Sequence, residues 1–167
     1  MAQYFKTVLV TQKEQKCMDP LDYIQDNSMN TLYTSKNTFV NTVEREIFEN
    51  PTSLSFVGEY ADILSEDDLL AFENNNLYTL CGHNIPKIRP RASKKVFKYI
   101  MNNNTKQYID KTTLEVNPLP LLCCEYNYND YSGEDLQYVG VWSRHTVWTT
   151  SNDKHLKGFT QLSLNFR

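Results

Sequence analysis

Between Gln3 and Thr11 the chain is rich in β-branched and aromatic residues, which predicts a strand. The spacing changes from Asn37 to Phe48. There Phe39, Val40, Val43 and Ile47 recur at helical intervals and Pro51 forbids continuation, so an amphipathic helix is predicted. Thr52 to Tyr60 returns to strand character, with Leu54, Phe56 and Gly58 on one face. Ser65 followed by Glu66, Asp67 and Asp68 reads as a helix start, with acids at the positive end of the dipole. A short strand is predicted from Asn76 to Cys81, and a helix from Ser93 to Met101 with Val96, Phe97 and Ile100 inward. Further strands are expected over Lys106–Leu114, Leu121–Tyr126, Tyr138–Thr149 and Lys157–Phe166.

The run Pro118-Leu-Pro-Leu-Leu122 interrupts this alternation. Pro118 and Pro120 each lack a backbone donor and fix φ, so the run reads as neither helix interior nor central strand. It is predicted to be a rigid wedge, with Leu119, Leu121 and Leu122 anchored in the core. Strands outnumber helices and most connections are short enough for antiparallel pairing. The expected class is α+β: a mostly antiparallel sheet with two or three helices, in a single domain over residues 1–167.

Composition narrows the classes of function. Five glycines are few for a Gly-rich phosphate cradle, and neither a phosphate loop nor a dinucleotide fingerprint is present. The expectation is therefore that no cofactor is bound. No apolar run approaches the ~18 residues of a membrane span, and no signal peptide precedes the first strand. Cys17, Cys81, Cys123 and Cys124 do not form the pattern of a disulfide scaffold, so reduced thiols and an intracellular location, cytoplasm or virion, are expected.

The net charge of −3 gives no global nucleic-acid signature. Its distribution is uneven: residues 59–73 carry acids without a cation, whereas 87–111 are strongly basic. Lys94, Lys95 and Lys98, interleaved with Phe97, Tyr99 and Tyr108, are candidates for contact with phosphate and bases. A solvated basic face is the plainer reading of the same residues.

Cys81, His83 and Cys123 are candidate metal ligands, although Cys-x-His is tighter than the usual zinc knuckle. Glu59 and Asp62 after the second strand, with His145, are candidate acid–base groups. The plainer reading of each is a loop or strand-end hydrogen bond. Tyr126, Tyr128 and Tyr131 crowd a polar loop, with Trp142 and Trp148 downstream; such rings give rigid contact area for a protein partner.

Several words of the sequence, in order, resemble an uncharacterised protein family of bacteria, eukaryotes and large viruses. Met1-Ala-Gln-Tyr-Phe-Lys6 is similar to its Met-Gly-Gln-Tyr-Tyr opening. Lys13-Glu14 and Asp19-Pro20-Leu-Asp-Tyr23 resemble the words that come next. Val57-Gly-Glu-Tyr-Ala-Asp62 resembles its Gly-Asp-Tyr-Ala-Asp, and Asn103-Asn-Thr-Lys-Gln-Tyr-Ile-Asp110 its Asn-His-Thr-Lys-Lys-Gln-Tyr-Val-Asp. Pro118 to Leu122 matches Pro-Leu-Pro-Leu-Leu, and Val139-Gly-Val-Trp-Ser-Arg144 resembles Gly-Ser-Trp-Ala-Arg. Where family members carry a Gly-rich loop, this chain has Tyr126 to Tyr131. The resemblance implies a shared fold and carries no reaction with it.

The expected function is non-catalytic: a protein-binding or structural accessory component, of viral or phage-like kind, or an immunity or inhibitor protein. A protein partner or self-association is expected, and no membrane. Two alternatives remain open: a small hydrolase-like enzyme using Glu59, Asp62 and His145, and a nucleic-acid-binding module using residues 87–111.

Overall fold

Strand β1 (Phe5–Val10) forms where the first alternation predicts it. The fold is that of a computed structural model, which describes residues 4–26, 28–33, 37–62, 64–68, 75–125 and 137–165. β1 turns back through Thr11–Glu14 into β2 (Gln15–Met18), and its other edge pairs antiparallel with β3 (Thr52–Gly58). The remaining strands are β4 (Tyr99–Asn102), β5 (Gln107–Asp110), β6 (Cys124–Glu125), β7 (Thr146–Thr150) and β8 (Thr160–Gln161). They complete an eight-stranded sheet in the order β2-β1-β3-β7-β4-β5-β8, with β6 attached to β3. Among the described residues the β3–β6 and β5–β8 strand pairs are parallel and the others antiparallel. The class is α+β with a mostly antiparallel sheet, and the sheet is larger than the sequence suggests.

Period two separates the sheet into two faces. The first face carries Phe5 and Leu9 of β1, Leu54 and Phe56 of β3, Ile100 of β4, Ile109 of β5 and Val147 of β7. Helix α2 (Thr38–Glu46), following the single turn α1 (Met29–Leu32), lies over it. Asn37 starts α2 by accepting a hydrogen bond from Val40 N at 3.0 Å. Phe39, Val40, Val43 and Ile47 are then all fully buried. Burial of each such side chain stabilises by about 1.5–3 kcal/mol. The second face carries Val8, Cys17 and Val57, covered by the short helix α3 (Leu77–Leu80) through Leu77 and Leu80.

Several local expectations are corrected. The proline wedge contains a helix, α4 (Leu119–Leu122), with Pro118 as its cap. A single turn makes this possible: Pro118 and Pro120 sit where an amide would have no acceptor within the helix. The three leucines are buried as expected. The strand expected over Asn76–Cys81 is instead the helix α3, because Asn76 accepts from Thr79 N and caps a turn. Residues 93–98 form no regular element and lead into β4, so no helix begins at Ser93; its hydroxyl accepts from Lys95 N and its own N–H bonds Thr42 Oγ1. The strand expected over 138–149 is confined to β7, because 137–144 run in turns. Gly140 (φ 73°) and Arg144 (φ 60°) occupy the left-handed region there. The helix expected from Ser65 falls largely outside the described residues; what is described is a turn, Asp68 N to Ser65 O at 3.0 Å.

Cysteine chemistry is also corrected. Cys17 of β2 is bonded to Cys81 at the end of α3, with Cα atoms 5.7 Å apart, so this pair is not reduced. The bond ties α3 down over the second face. Cys123 and Cys124 are free and buried, and burial pushes both thiols well above their ordinary range.

Candidate functional site

Halfway along β3 the neighbouring strand changes. Thr52 and Ser53 pair with β7, whereas Phe56 and Val57 pair with β6. The turns of 137–144 fill the fork. Gly140 N donates to Leu121 O at 3.0 Å, Trp142 N to Leu122 O at 2.8 Å and Arg144 N to Leu54 O at 2.8 Å. Gly140 lies so close to β6 that a Cβ would meet the Cys124 carbonyl oxygen at 2.9 Å. Two motifs distant in sequence, Pro118–Leu122 and Val139–Arg144, are thus packed together, and their joint product is the position of Arg144.

Arg144 stands on the second face. Its Nε donates to Glu125 Oε2 at 2.8 Å and its Nη2 to Glu125 Oε1 at 2.7 Å, a fork-to-fork pair. Ser55 of β3 donates to the same carboxylate at 3.0 Å. The third guanidinium nitrogen, Nη1, bonds Asp68. The hydrogen bonds that Arg144 donates to Glu125, and after them the one to Asp68, outweigh burial and hold Arg144 more firmly protonated than usual.

Arg144 and Asp68 line a cleft of about 590 Å³ between the β1–β2 hairpin and α3. Val8, Val10 and Leu77 form its apolar wall, and Gln12, Gln15, Ser53 and Ser55 its hydrogen-bonding rim. A wider hollow of about 880 Å³ lies on the other side of the hairpin tip and shares Val10, Thr11, Gln12 and Ser53 with it. The smaller cleft is the candidate site, because there the Arg144 guanidinium is held in fixed geometry by Glu125 of β6. The hairpin tip is itself ordered: Thr11 Oγ1 accepts from Lys13 N and Glu14 N.

The residues singled out from sequence are scattered. Glu59 Oε1 accepts from Tyr4 N just beyond the end of β3, whereas His145 O accepts from Leu54 N near its start. Five residues of strand separate those points by roughly 16 Å. His145 Nδ1 instead meets Asn102 Nδ2 at 3.0 Å. The structure therefore does not bring Glu59 to His145; Asp62 lies in the turn after Glu59. Cys81 is consumed by the disulfide, Cys123 is sealed in the core of the first face and His83 is exposed, so these three do not converge as a ligand set. No group of three metal-binding side chains occurs among the described residues.

Trp142 is only 1 % exposed and belongs to the core, which removes it as a contact residue. Trp148 is half-buried, donates to Asn103 Oδ1 at 2.8 Å and packs edge-on against His155 and Phe159. Tyr126, Tyr128 and Tyr131 lie outside the described residues. Lys94, Lys95 and Lys98 are exposed, but Lys98 pairs with Asp153 and Lys95 lies over the rings of Phe48 and Phe97. Phe97 itself is buried.

Sequence reading missed Glu125 and Asp68 as site residues and treated Arg144 only as the end of a motif. The signal for Arg144 was that motif, which sets it two residues after a buried Trp. Among the described residues no helix is long and apolar enough to cross a membrane. Compared with protein-family models, with curated proteins and with solved structures, the chain matches none of them.

Proposed function

We propose that this chain is a non-catalytic protein-binding component and that its contact surface is the Arg144 cleft with the adjoining hairpin tip. The observation that carries this reading is the arrangement of the cleft: fixed hydrogen-bonding groups on rigid strands around an apolar wall, opening beside exposed Lys13 and Glu14. Binding sites combine these features, an apolar body with a few placed polar groups. The hydrolase reading is weakened by the distance between Glu59 and His145. The nucleic-acid reading is weakened by Phe97, which is unavailable for stacking, and by the engagement of Lys95 and Lys98.

The family resemblance remains a proposal resting on the order of its motifs, and it adds no reaction. An accessory or inhibitory protein of viral or phage-like kind fits the same surface. Of the two locations expected, cytoplasm and virion, a persistent disulfide favours the virion, because cytosolic glutathione keeps thiols reduced.

Photo-crosslinking tests the surface. A benzophenone side chain at Gln12 is expected to give a discrete protein adduct, or a dimer if the partner is a second copy. The same probe at Lys157, an exposed residue before β8, is expected to give none. Equal labelling from the two positions removes the cleft as the contact surface.

A further inference from the structure

We propose that the cleft is a seat for a carboxylate carried on a short aliphatic body, and that Asp68 fills this seat until such a ligand displaces it. The proposal rests on the cleft being a binding surface and specifies the chemistry it selects.

Arg144 presents two separate hydrogen-bonding edges. The Nε–Nη2 edge is closed by Glu125, which is held in place by Ser55. Glu125 belongs to β6 and does not line the cleft. Its role is to aim the guanidinium. The remaining nitrogen, Nη1, is met by Asp68, and both of these residues line the cleft. The two acids thus differ in kind: Glu125 comes from a paired strand, Asp68 from a turn.

The backbone supports the same division of roles. Arg144 holds φ 60°, a conformation that a residue with a long side chain rarely adopts. Its N–H is spent on Leu54 O and its carbonyl accepts from Ser53 Oγ at 2.8 Å, so the strained residue is pinned from both sides.

Charge then selects the ligand. Arg144 with Glu125 and Asp68 sums to −1. A monoanion that replaces Asp68 at Nη1 leaves the local charge at the guanidinium unchanged, whereas a phosphate dianion adds a charge beside Glu125. Val8, Val10 and Leu77 supply the wall for an aliphatic body, and Gln12, Gln15 and Ser53 supply partners for an amide next to the carboxylate. A free acid and the terminal carboxylate of a peptide chain both meet this description. Asp68, tethered at high local concentration, lowers the apparent affinity of either by the fraction of time it occupies the seat.

The test uses N-acetyl-leucine and its neutral amide, N-acetyl-leucinamide, as probes, followed by amide and Arg side-chain NMR shifts of the whole chain. The acid is expected to shift Val8, Val10, Ser55 and the Arg144 Nε–H with millimolar affinity, and the amide is expected to bind at least about tenfold more weakly. Asp68→Asn is expected to tighten acid binding by about tenfold, since a neutral side chain competes poorly for a guanidinium. Arg144→Gln is expected to abolish it. A peptide ending in leucine, titrated as acid and as amide, separates the two sources: discrimination larger than that of the single amino acid assigns the seat to chain termini, and equal discrimination to free acids.

Equal binding of acid and amide at the cleft overturns the carboxylate seat while leaving the protein-binding surface in place. Unchanged acid affinity in Asp68→Asn overturns the role of Asp68, and that variant keeps Glu125, Ser55 and Arg144 intact. Absence of any shift at the cleft, with the Gln12 crosslink still present, overturns the inference alone; absence of both overturns the surface as well.

Discussion

Two ion clusters flank the same sheet, and their difference lies in what closes them. On the first face Glu44 of α2 is fully buried, Lys111 donates to its carboxylate at 2.5 and 2.6 Å, and Asn117 Nδ2 adds a bond of 2.7 Å. Asn117 also accepts from Leu119 N and so starts α4. Every partner is sealed between helix, strand end and turn. On the second face Glu125 and Arg144 form an equally well-made pair, but Arg144 lines a cleft and its remaining guanidinium nitrogen is met by a turn carboxylate. The first cluster is scaffold: it fixes α2, the end of β5 and α4 relative to one another. The second holds one arm rigid so that another can exchange partners. Burial, more than residue type, separates the two roles.

The comparison breaks most sharply at Glu44. Glu44→Ala is expected to lower stability by about 3–5 kcal/mol, because Lys111 is left charged in a buried site. Urea denaturation measures it, and a loss below about 1 kcal/mol means that the cluster is not sealed. Reducing the Cys17–Cys81 bond comes next. It closes a loop of 64 residues, and releasing it is expected to cost about 2–4 kcal/mol. Hydrogen exchange sharpens the contrast: α3 amides on the second face are expected to lose protection while α2 amides keep theirs.

Gly140→Ala is expected to cost about 1–2 kcal/mol, through the left-handed backbone and the contact with the Cys124 carbonyl. Thermal melts of the variant read this directly, and an unchanged melting temperature means that the turn yields.

Asp68→Asn, by contrast, is expected to change stability by less than about 1 kcal/mol, since its pair with Arg144 is partly exposed to solvent. A loss as large as that of Glu44→Ala in the same urea titration would make the two clusters equivalent.

The smallest effect belongs to neither cluster and serves as a reference for surface electrostatics. Asp26 accepts from Ser28 N, then from Thr31 Oγ1, which holds its carboxyl below the usual range. The folded pKa is depressed, so the stabilisation is complete above the ordinary carboxylate pKa and disappears as pH falls through the folded value. Asp26→Asn is expected to flatten this acid limb slightly in urea titrations between about pH 4 and pH 2. An unaltered limb assigns acid sensitivity to other carboxylates.

Where local and tertiary signals agreed, the fold was legible. Helix α2 has its Asn37 cap, its apolar stripe and its Pro51 stop in one window, and β1 and β3 have unbroken β-forming runs. Legibility failed where a few residues satisfy two periods. Val96, Phe97 and Ile100 fit a helical stripe, but Val96 is exposed while Phe97, Tyr99, Ile100 and Met101 are buried. A strand covered on both faces buries consecutive residues, and the neighbour that draws this segment into the sheet, β7, lies nearly 50 residues away. The proline wedge failed for the opposite reason: a rule about helix interiors was applied to a helix with no interior.

The site was harder to read. Asp68, Glu125 and Arg144 lie in three separate segments, and nothing local announces that β3 exchanges β7 for β6 between Ser53 and Phe56. Only the Trp142–Arg144 motif marked one end of it, while the tryptophan that drew notice as a contact residue turned out to anchor the core.

The place of β7 in the sheet has a consequence for how the protein is made. β7 lies between β3 and β4 at the centre of the strand order, yet it is synthesised after both of them. At about 5–20 residues per second, the edge of β3 that waits for Thr146 and Val147 stays open for roughly 5–20 s after it leaves the ribosome. Nascent chains therefore depend on the later arrival of β7, and a truncation before residue 146 is expected to leave the facing edges of β3 and β4 exposed and prone to pair between molecules.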